Sequence, residues 1–450
     1  MKPVAVVGGG ISGLTAAFRL HQLGVPVVLY EKQERTGGVI RSGRQHGFLT
    51  ESGPTSIRST ALVNQVVTEL GLDACKVIAN SNAKTRYLVR DGRLVRVPGS
   101  PISAVTTSLL SMKGKLRLLA EPFISRGGED EQNLGDFVTR RLGREVLEYA
   151  VDPLVGGMYA GRPEQLSVKY AFPKLYDLER RSGSIFLGAL SKAFSGKREP
   201  RVPSTPFSFS EGVQLLTDTL HAKLDGSVRV NSAVTAVIEI EGGWRISDVS
   251  GTVAEHSAVI LAAPAPDIAK LQLSTKAGIN LAPLAKIRYS GVVRIMFGFE
   301  RKQMQRRLEG FGFLVPRSEK FHLLGSVFCS SVYDGSAPKD HVSFLCFLGG
   351  ARSPELLNME EGALSNLALG DLQQLAGIKG PPMFQSYLKM PQAIPQYESG
   401  HGEVCAVMNH AEDSAKGLYF AGNYRAGISV SDALASGWKA ADHAGGVERV

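Results

Sequence analysis

The chain has 450 residues, 43% hydrophobic and 21% charged, which at about 150 residues per domain predicts about three domains and excludes wholesale disorder. The net charge is +9, and residues 84–201 carry +8 of it, with 21 Lys/Arg against 13 Asp/Glu. The 50 glycines follow no G-X-Y period, which excludes collagen and points to tight turns or close backbone approach to a ligand.

Val4-Ala5-Val6-Val7 reads as a buried parallel strand. Gly8-Gly9-Gly10-Ile11-Ser12-Gly13 then fits G-x-G-x-x-G. Gly8 suits the tight turn, Gly10 the close approach of a pyrophosphate, and Gly13 the packing of helix on sheet. Leu14 to Leu23 has helical periodicity and stops at Gly24. Val27 to Tyr30 is a second strand, and Glu31 follows Gly13 by 18 residues, near the spacing of a ribose-binding acid. Strand, glycine motif, helix, strand and acid in this order predict a Rossmann-like dinucleotide-binding unit.

Arg35-Thr36-Gly37-Gly38-Val39-Ile40-Arg41-Ser42 comes next, followed by Gly47-Phe48, Glu51 and Gly53-Pro54. This run resembles the R-x-G-G extension of the amine-oxidase-like flavoproteins. The resemblance implies FAD, with the paired glycines near its diphosphate. Two later segments fit the same cofactor. The first is Phe209-Ser210-Glu211-Gly212 with a helix to Leu224, then strands at Val228–Val230, Val234–Ile240, Trp244–Asp248 and Ala258–Ala263. The second is a strand over Gly417–Asn423 and a helix starting near Ser431-Asp432, with Ser431 as N-cap. The helix N-terminus would favour negative charge on a reduced flavin. The cofactor residues implied are Gly8, Gly9, Gly10, Ile11, Ser12, Gly13, Glu31, Lys32, Gly38, Val39, Arg41, Gly53, Pro54, Thr55, Ser56, Val234, Gly422, Ile428, Ser429 and Val430. Asn423 stands where many such enzymes carry Asp. Binding is expected to be noncovalent, because no cysteine follows Gly417.

The middle of the chain sharpens the resemblance. Arg86-Tyr87, Val151 to Gly161, Leu166-Ser167, Gly310 to Pro316, and Ala393 to Tyr397 with His401 occur in order. Together they resemble the protoporphyrinogen oxidase family over nearly the whole chain. That resemblance implies removal of six electrons from a tetrapyrrole, in three hydride transfers to flavin N5, with reoxidation by dioxygen. It assigns Leu154, Gly157, Gly312 and Leu314 to an apolar slot, and Arg86 to a substrate propionate, which suits a guanidinium. No catalytic base is identified, and His401 reads as structural. The alternatives are a coproporphyrinogen oxidase, which would want more cations, an amine oxidase or carotenoid desaturase, and a flavin- or porphyrin-carrying protein without turnover. Nucleic acid is not expected, since no basic module interleaved with aromatics is present.

Pro101 to Ala120 places Ile102, Val105, Leu109, Leu110, Met112, Leu116 and Leu119 at helical spacings beside Lys113, Lys115 and Arg117, a pattern of interfacial helices. A peripheral or monotopic association with the cytoplasmic side of a membrane is expected, or a cytoplasmic location for a bacterial protein. Cys75, Cys329, Cys346 and Cys405 have neither zinc nor redox spacing and read as reduced thiols. No signal peptide is expected, because strand-like sequence starts at Pro3, and no apolar run is long enough to span a bilayer. The expected units are an α/β FAD-binding unit (1–83, 225–264, 396–450), a helical insertion (84–201) and a mixed α+β substrate unit (202–224, 265–395). The sequence leaves monomer and homodimer open.

Overall fold

Val4–Val7 is buried along its whole length and lies at the centre of a five-stranded sheet. The order is Val228–Arg229, Val27–Tyr30, Val4–Val7, Val259–Leu261, Leu418–Phe420, and every pair is parallel. The strands are apolar throughout because both faces are covered. Helices Ile11–Gln22, Ala61–Glu69, Gln214–Ala222 and Val430–Ala444 cover one face. Trp244, Ile246, Ile268 and Met408 pack against the other. Strand order reverses beside Val4–Val7, so the crevice for a ligand opens at the carboxyl ends there. This computed structural model describes residues 2–99, 103, 106–128, 131–194, 205–224 and 226–447.

A seven-stranded sheet forms the second layer, in the order Phe384–Pro395, Tyr289–Glu300, His341–Gly349, Leu323–Val327, Gly312–Leu314, Arg86–Arg90, Arg93–Arg96. One face buries Val293, Ile295, Phe297, Phe313 and Cys346 beneath helix Glu361–Ala376. Alternation turns the intervening residues toward the dinucleotide unit.

Two expected boundaries are corrected. Arg86–Arg90 and Arg93–Arg96 belong to this sheet and not to the insertion, because Arg86–Leu88 pair with Gly312–Leu314. Residues 205–224 belong to the dinucleotide unit and not to the substrate unit. Pro206–Phe209 pairs with Ile57–Arg58 and Lys76–Ile78, and Phe207, Leu216 and Leu220 join the core of Val4 and Leu14. In both cases unpaired backbone or an apolar face found its partner across the chain.

The insertion is helical, with helices at Met112–Leu119, Leu134–Arg141, Asp152–Tyr159, Pro173–Ser182 and Ile185–Phe194. Arg141 is fully buried, meeting Glu179 at 2.5 Å and Glu121 at 3.2 Å. The continuous helix expected over 101–120 is not formed. Ser111 caps a fresh start by accepting from the Gly114 N–H at 3.1 Å, and Leu109 turns inward. Ile102 and Val105 lie outside the described residues, as do 195–204, where the insertion was expected to end.

Candidate functional site

The glycine loop is built as a cradle. Gly8 has φ +110°, and a Cβ there would come within 2.7 Å of the Ala263 nitrogen. A Cβ on Gly13 would collide with the Gly8 carbonyl oxygen, whereas a Cβ on Gly10 would meet nothing within 4 Å. So Gly8 and Gly13 serve packing, and Gly10 faces open space. Gly10 is also the N-cap of Ile11–Gln22, without a side-chain cap. The first N–H groups of that helix are left for an anion.

Glu31 is buried at the end of the second strand. It accepts from the Gly9 N–H at 2.6 Å and the Gln33 N–H at 2.8 Å, fixing the loop and leaving lone pairs for a hydroxyl donor. The Asn231 and Ser232 N–H groups donate to Gln33 O and Glu31 O, which brings Val234 beside the same edge. Lys32 lies at the surface, paired with Asp267 at 2.7 Å.

The second loop lies on the first. The Gly37 N–H donates to Gly9 O at 2.7 Å, and a Cβ on Gly38 would come 3.3 Å from Gly10 Cα. Arg35, the first residue of the R-x-G-G run, braces this loop by donating to Thr36 O, Gly38 O and Ile40 O. Val39 is exposed beyond Gly10, and a Cβ on Gly53 would collide with Val39 O. The crevice therefore runs from Gly10 along Gly38 and Val39 to Gly53, Pro54, Thr55 and Ser56. Arg41 is exposed at its outer side.

The C-terminal helix closes the crevice. Its N-cap is Ser429, which accepts from the Asp432 N–H at 3.2 Å. This corrects the expected cap: Ser431 is inside the helix and donates to Arg58 O at 2.7 Å. Ser12 Oγ donates to Ala433 O at 2.8 Å, and Gly437 admits the Ser12 backbone. The two helix N-termini thus meet over Gly10–Ser12. Tyr397 holds the preceding loop: its hydroxyl donates to Asn423 O at 2.5 Å and accepts from the Gly427 N–H at 2.8 Å. Gly422 and Ile428 flank the same loop. His401 stacks on Tyr397 at 4.3 Å and is buried, and burial pushes its pKa down to about 4.

The slot residues come together on the sheet face that looks toward this crevice. Leu88, Leu314, Gly325, Phe347 and Arg294 stand in direct register across five strands, so their side-chain positions share one face. Arg86 is opposite Gly312, two residues from Leu88. Helix Asp152–Tyr159 lies over this row. Leu314 fills the space a Cβ on Gly157 would need, and Leu154 and Met158 are partly exposed. Arg86 is exposed, 5.3 Å over the Phe311 ring. The result is an apolar row of Leu88, Leu314 and Phe347 packed under helix Asp152–Tyr159, with Arg86 exposed beside it.

A buried ion pair that the sequence did not reveal pins the helix. Arg352 donates to Asp152 Oδ2 and Asp152 O, both at 2.8 Å, and to Val315 O at 2.6 Å. Phe347 and Arg294 were likewise missed. The available signal for Arg294 was a lone charge inside the apolar strand Tyr289–Glu300.

No helix among the described residues is long and apolar enough to cross a membrane, and no group of three or more potential metal ligands occurs among them.

Comparison with known proteins agrees with this geometry. The model for the flavin containing amine oxidoreductase family matches residues 11–444. The chain is 34% identical to protoporphyrinogen oxidase 2, chloroplastic/mitochondrial, of Arabidopsis thaliana, over 98% of this chain and 93% of that one. It is 27% identical to coproporphyrinogen III oxidase of Bacillus subtilis, over 97% and 96%. A crystal structure from Exiguobacterium sp. 255-15 shares the fold at TM-score 0.83 and 23% identity, over 99% of both chains.

Proposed function

Because the chain belongs to the flavin containing amine oxidoreductase family, we propose that this FAD enzyme oxidises a porphyrinogen, with protoporphyrinogen IX as its substrate and dioxygen as its oxidant. FAD fits the crevice on its own terms: open space at Gly10, an uncapped helix N-terminus and an acid poised at Glu31. Gly9 to Gly13 would hold the diphosphate, Glu31 a ribose hydroxyl, Val234 the adenine edge, and Gly53 to Ser56 with Ile428 to Val430 the ring. Bound there, FAD supplies hydride acceptance. The chain positions the substrate and excludes water.

The observation carrying the substrate reading is the single row of Leu314, Gly325 and Phe347 under Gly157, with Arg86 at the edge. In this reading a flat apolar disc would lie against Leu154 and Leu314, and Arg86 would take a propionate bidentately. Coproporphyrinogen III, the substrate in the name of the Bacillus subtilis relative, presents four propionates and would want more cations than Arg86 supplies.

Anaerobic mixing with each porphyrinogen tests this. Protoporphyrinogen IX should bleach the flavin absorbance faster at equal concentration. Faster bleaching by coproporphyrinogen III reverses the substrate assignment, and no bleaching by either removes porphyrinogen oxidation and favours a protein that carries flavin or porphyrin without turnover.

We also propose that the insertion rests on an anionic membrane surface. Met112, Leu116, Leu119 and Phe123 are 61% to 89% exposed, at spacings of four, three and four residues. Lys113 and Lys115 lie on the same short helix, and that combination suits lipid head groups over acyl chains.

A further inference from the structure

Arg294 is 4% exposed, yet among the described residues only Gly53 O accepts from it. Its Nε and Nη2 groups meet no acceptor. A buried guanidinium with two unmet donors is costly unless a partner arrives. The nearby carboxylate does not serve. Glu51 is already engaged by the Ser42 hydroxyl at 2.6 Å and the Val213 N–H at 2.9 Å, and burial pushes it up to about 7, so it is partly neutral at neutral pH.

The register states where the charge points. Arg294 is opposite Phe347, in the same row as Leu314, and its guanidinium is 5.3 Å over the Phe347 ring. Through Gly53 it touches the loop that continues from Val39 and Gly10. It therefore sits where the slot meets the ring end of the crevice, across the sheet from Arg86.

We infer that Arg294 is the cation at the flavin ring, donating to its ring acceptors and stabilising the charge gained on reduction. This rests on the FAD reading above. When bound, FAD would supply acceptance of two electrons and one proton as a hydride from a substrate C–H bond, gaining one negative charge, while an N–H proton of the substrate would pass to water. Arg294 is buried and fixed before that charge appears, which is the arrangement that stabilises developing charge most effectively. A propionate is the less fitting partner, because Arg294 is closed to solvent while Arg86 is open to it.

The test is the two-electron midpoint potential of the purified holoenzyme, with Arg294→Gln and Arg294→Lys as variants. Arg294→Gln should keep its flavin and lower the preference for the reduced form at least tenfold, about 30 mV for a two-electron couple. Arg294→Lys should lie between it and the wild type, and it carries the test alone where Arg294→Gln does not fold. An unchanged potential in flavin-loaded variants overturns the inference, including the case where only the substrate KM rises and Arg294 is a propionate ligand. A wild-type protein that binds no FAD would instead overturn the underlying reading.

Discussion

At the scale of single residues, the glycines divide by what surrounds them. Gly10→Ala should leave far-UV circular dichroism unchanged and strip the purified protein of flavin absorbance, since its Cβ would enter only the open crevice. Gly13→Ala should lower soluble yield and Tm, because its Cβ collides with the Gly8 carbonyl. Both glycines were legible as a motif, but their separate roles needed the packed neighbours. Arg86→Ala should raise the porphyrinogen KM about tenfold or more with a smaller change in kcat, as loss of one charge-assisted bond implies. Steady-state kinetics would read it, and an unchanged KM would remove Arg86 as anchor. Glu51 gives a pH signature. Burial raises its native pKa to about 7, above the unfolded value near 4.3. The contribution of Glu51 to stability is therefore complete below about pH 4.3 and is lost as pH rises through about 7, because the unfolded state ionises first. Urea midpoints at pH 5 and pH 8 should fall for the wild type and change less for Glu51→Gln.

At the scale of elements, short-range patterns predicted Val4–Val7, Val27–Tyr30 and Val234–Ile240 as they stand, set the first helix three residues late, at Leu14 against Ile11, and left helix Ala61–Glu69 unread. The C-terminal helix begins at Val430 with Ser429 as its cap. Ser429 and Ser431 are both good caps by composition, and only the contact with Arg58 decided that Ser431 faces inward. The 101–120 pattern misled for a related reason. Periodicity cannot see that Ser111 restarts the helix and that Leu109 has a core to enter. Helix Asp152–Tyr159 shows what periodicity leaves out entirely. Its place over Leu314 depends on Asp152 meeting Arg352, 200 residues away. Asp152→Ala leaves that guanidinium buried and unpaired, and should cost about 3–5 kcal/mol in equilibrium unfolding. The slot beneath Gly157 should loosen with it.

At the scale of the whole molecule, the chain is threaded back and forth between its two large sheets. The five-stranded sheet draws strands from residues 4–30, 228–261 and 418–420. The seven-stranded sheet draws from 86–96 and 289–395. The proposed membrane face belongs to this scale. Leu116→Glu with Leu119→Glu should abolish cosedimentation with anionic vesicles at low salt while leaving flavin content unchanged, and persistent binding would place the contact elsewhere. The sequence alone determined the dinucleotide unit, the cofactor class and the family resemblance, because those depend on residues close together in the chain: a turn, a helix start, an alternating strand. Tertiary structure alone decided which strands share a sheet, that Arg86 and residues 205–224 change units, and that Arg294 faces the crevice. Those outcomes follow from backbone pairing and burial between segments hundreds of residues apart, which no local pattern encodes.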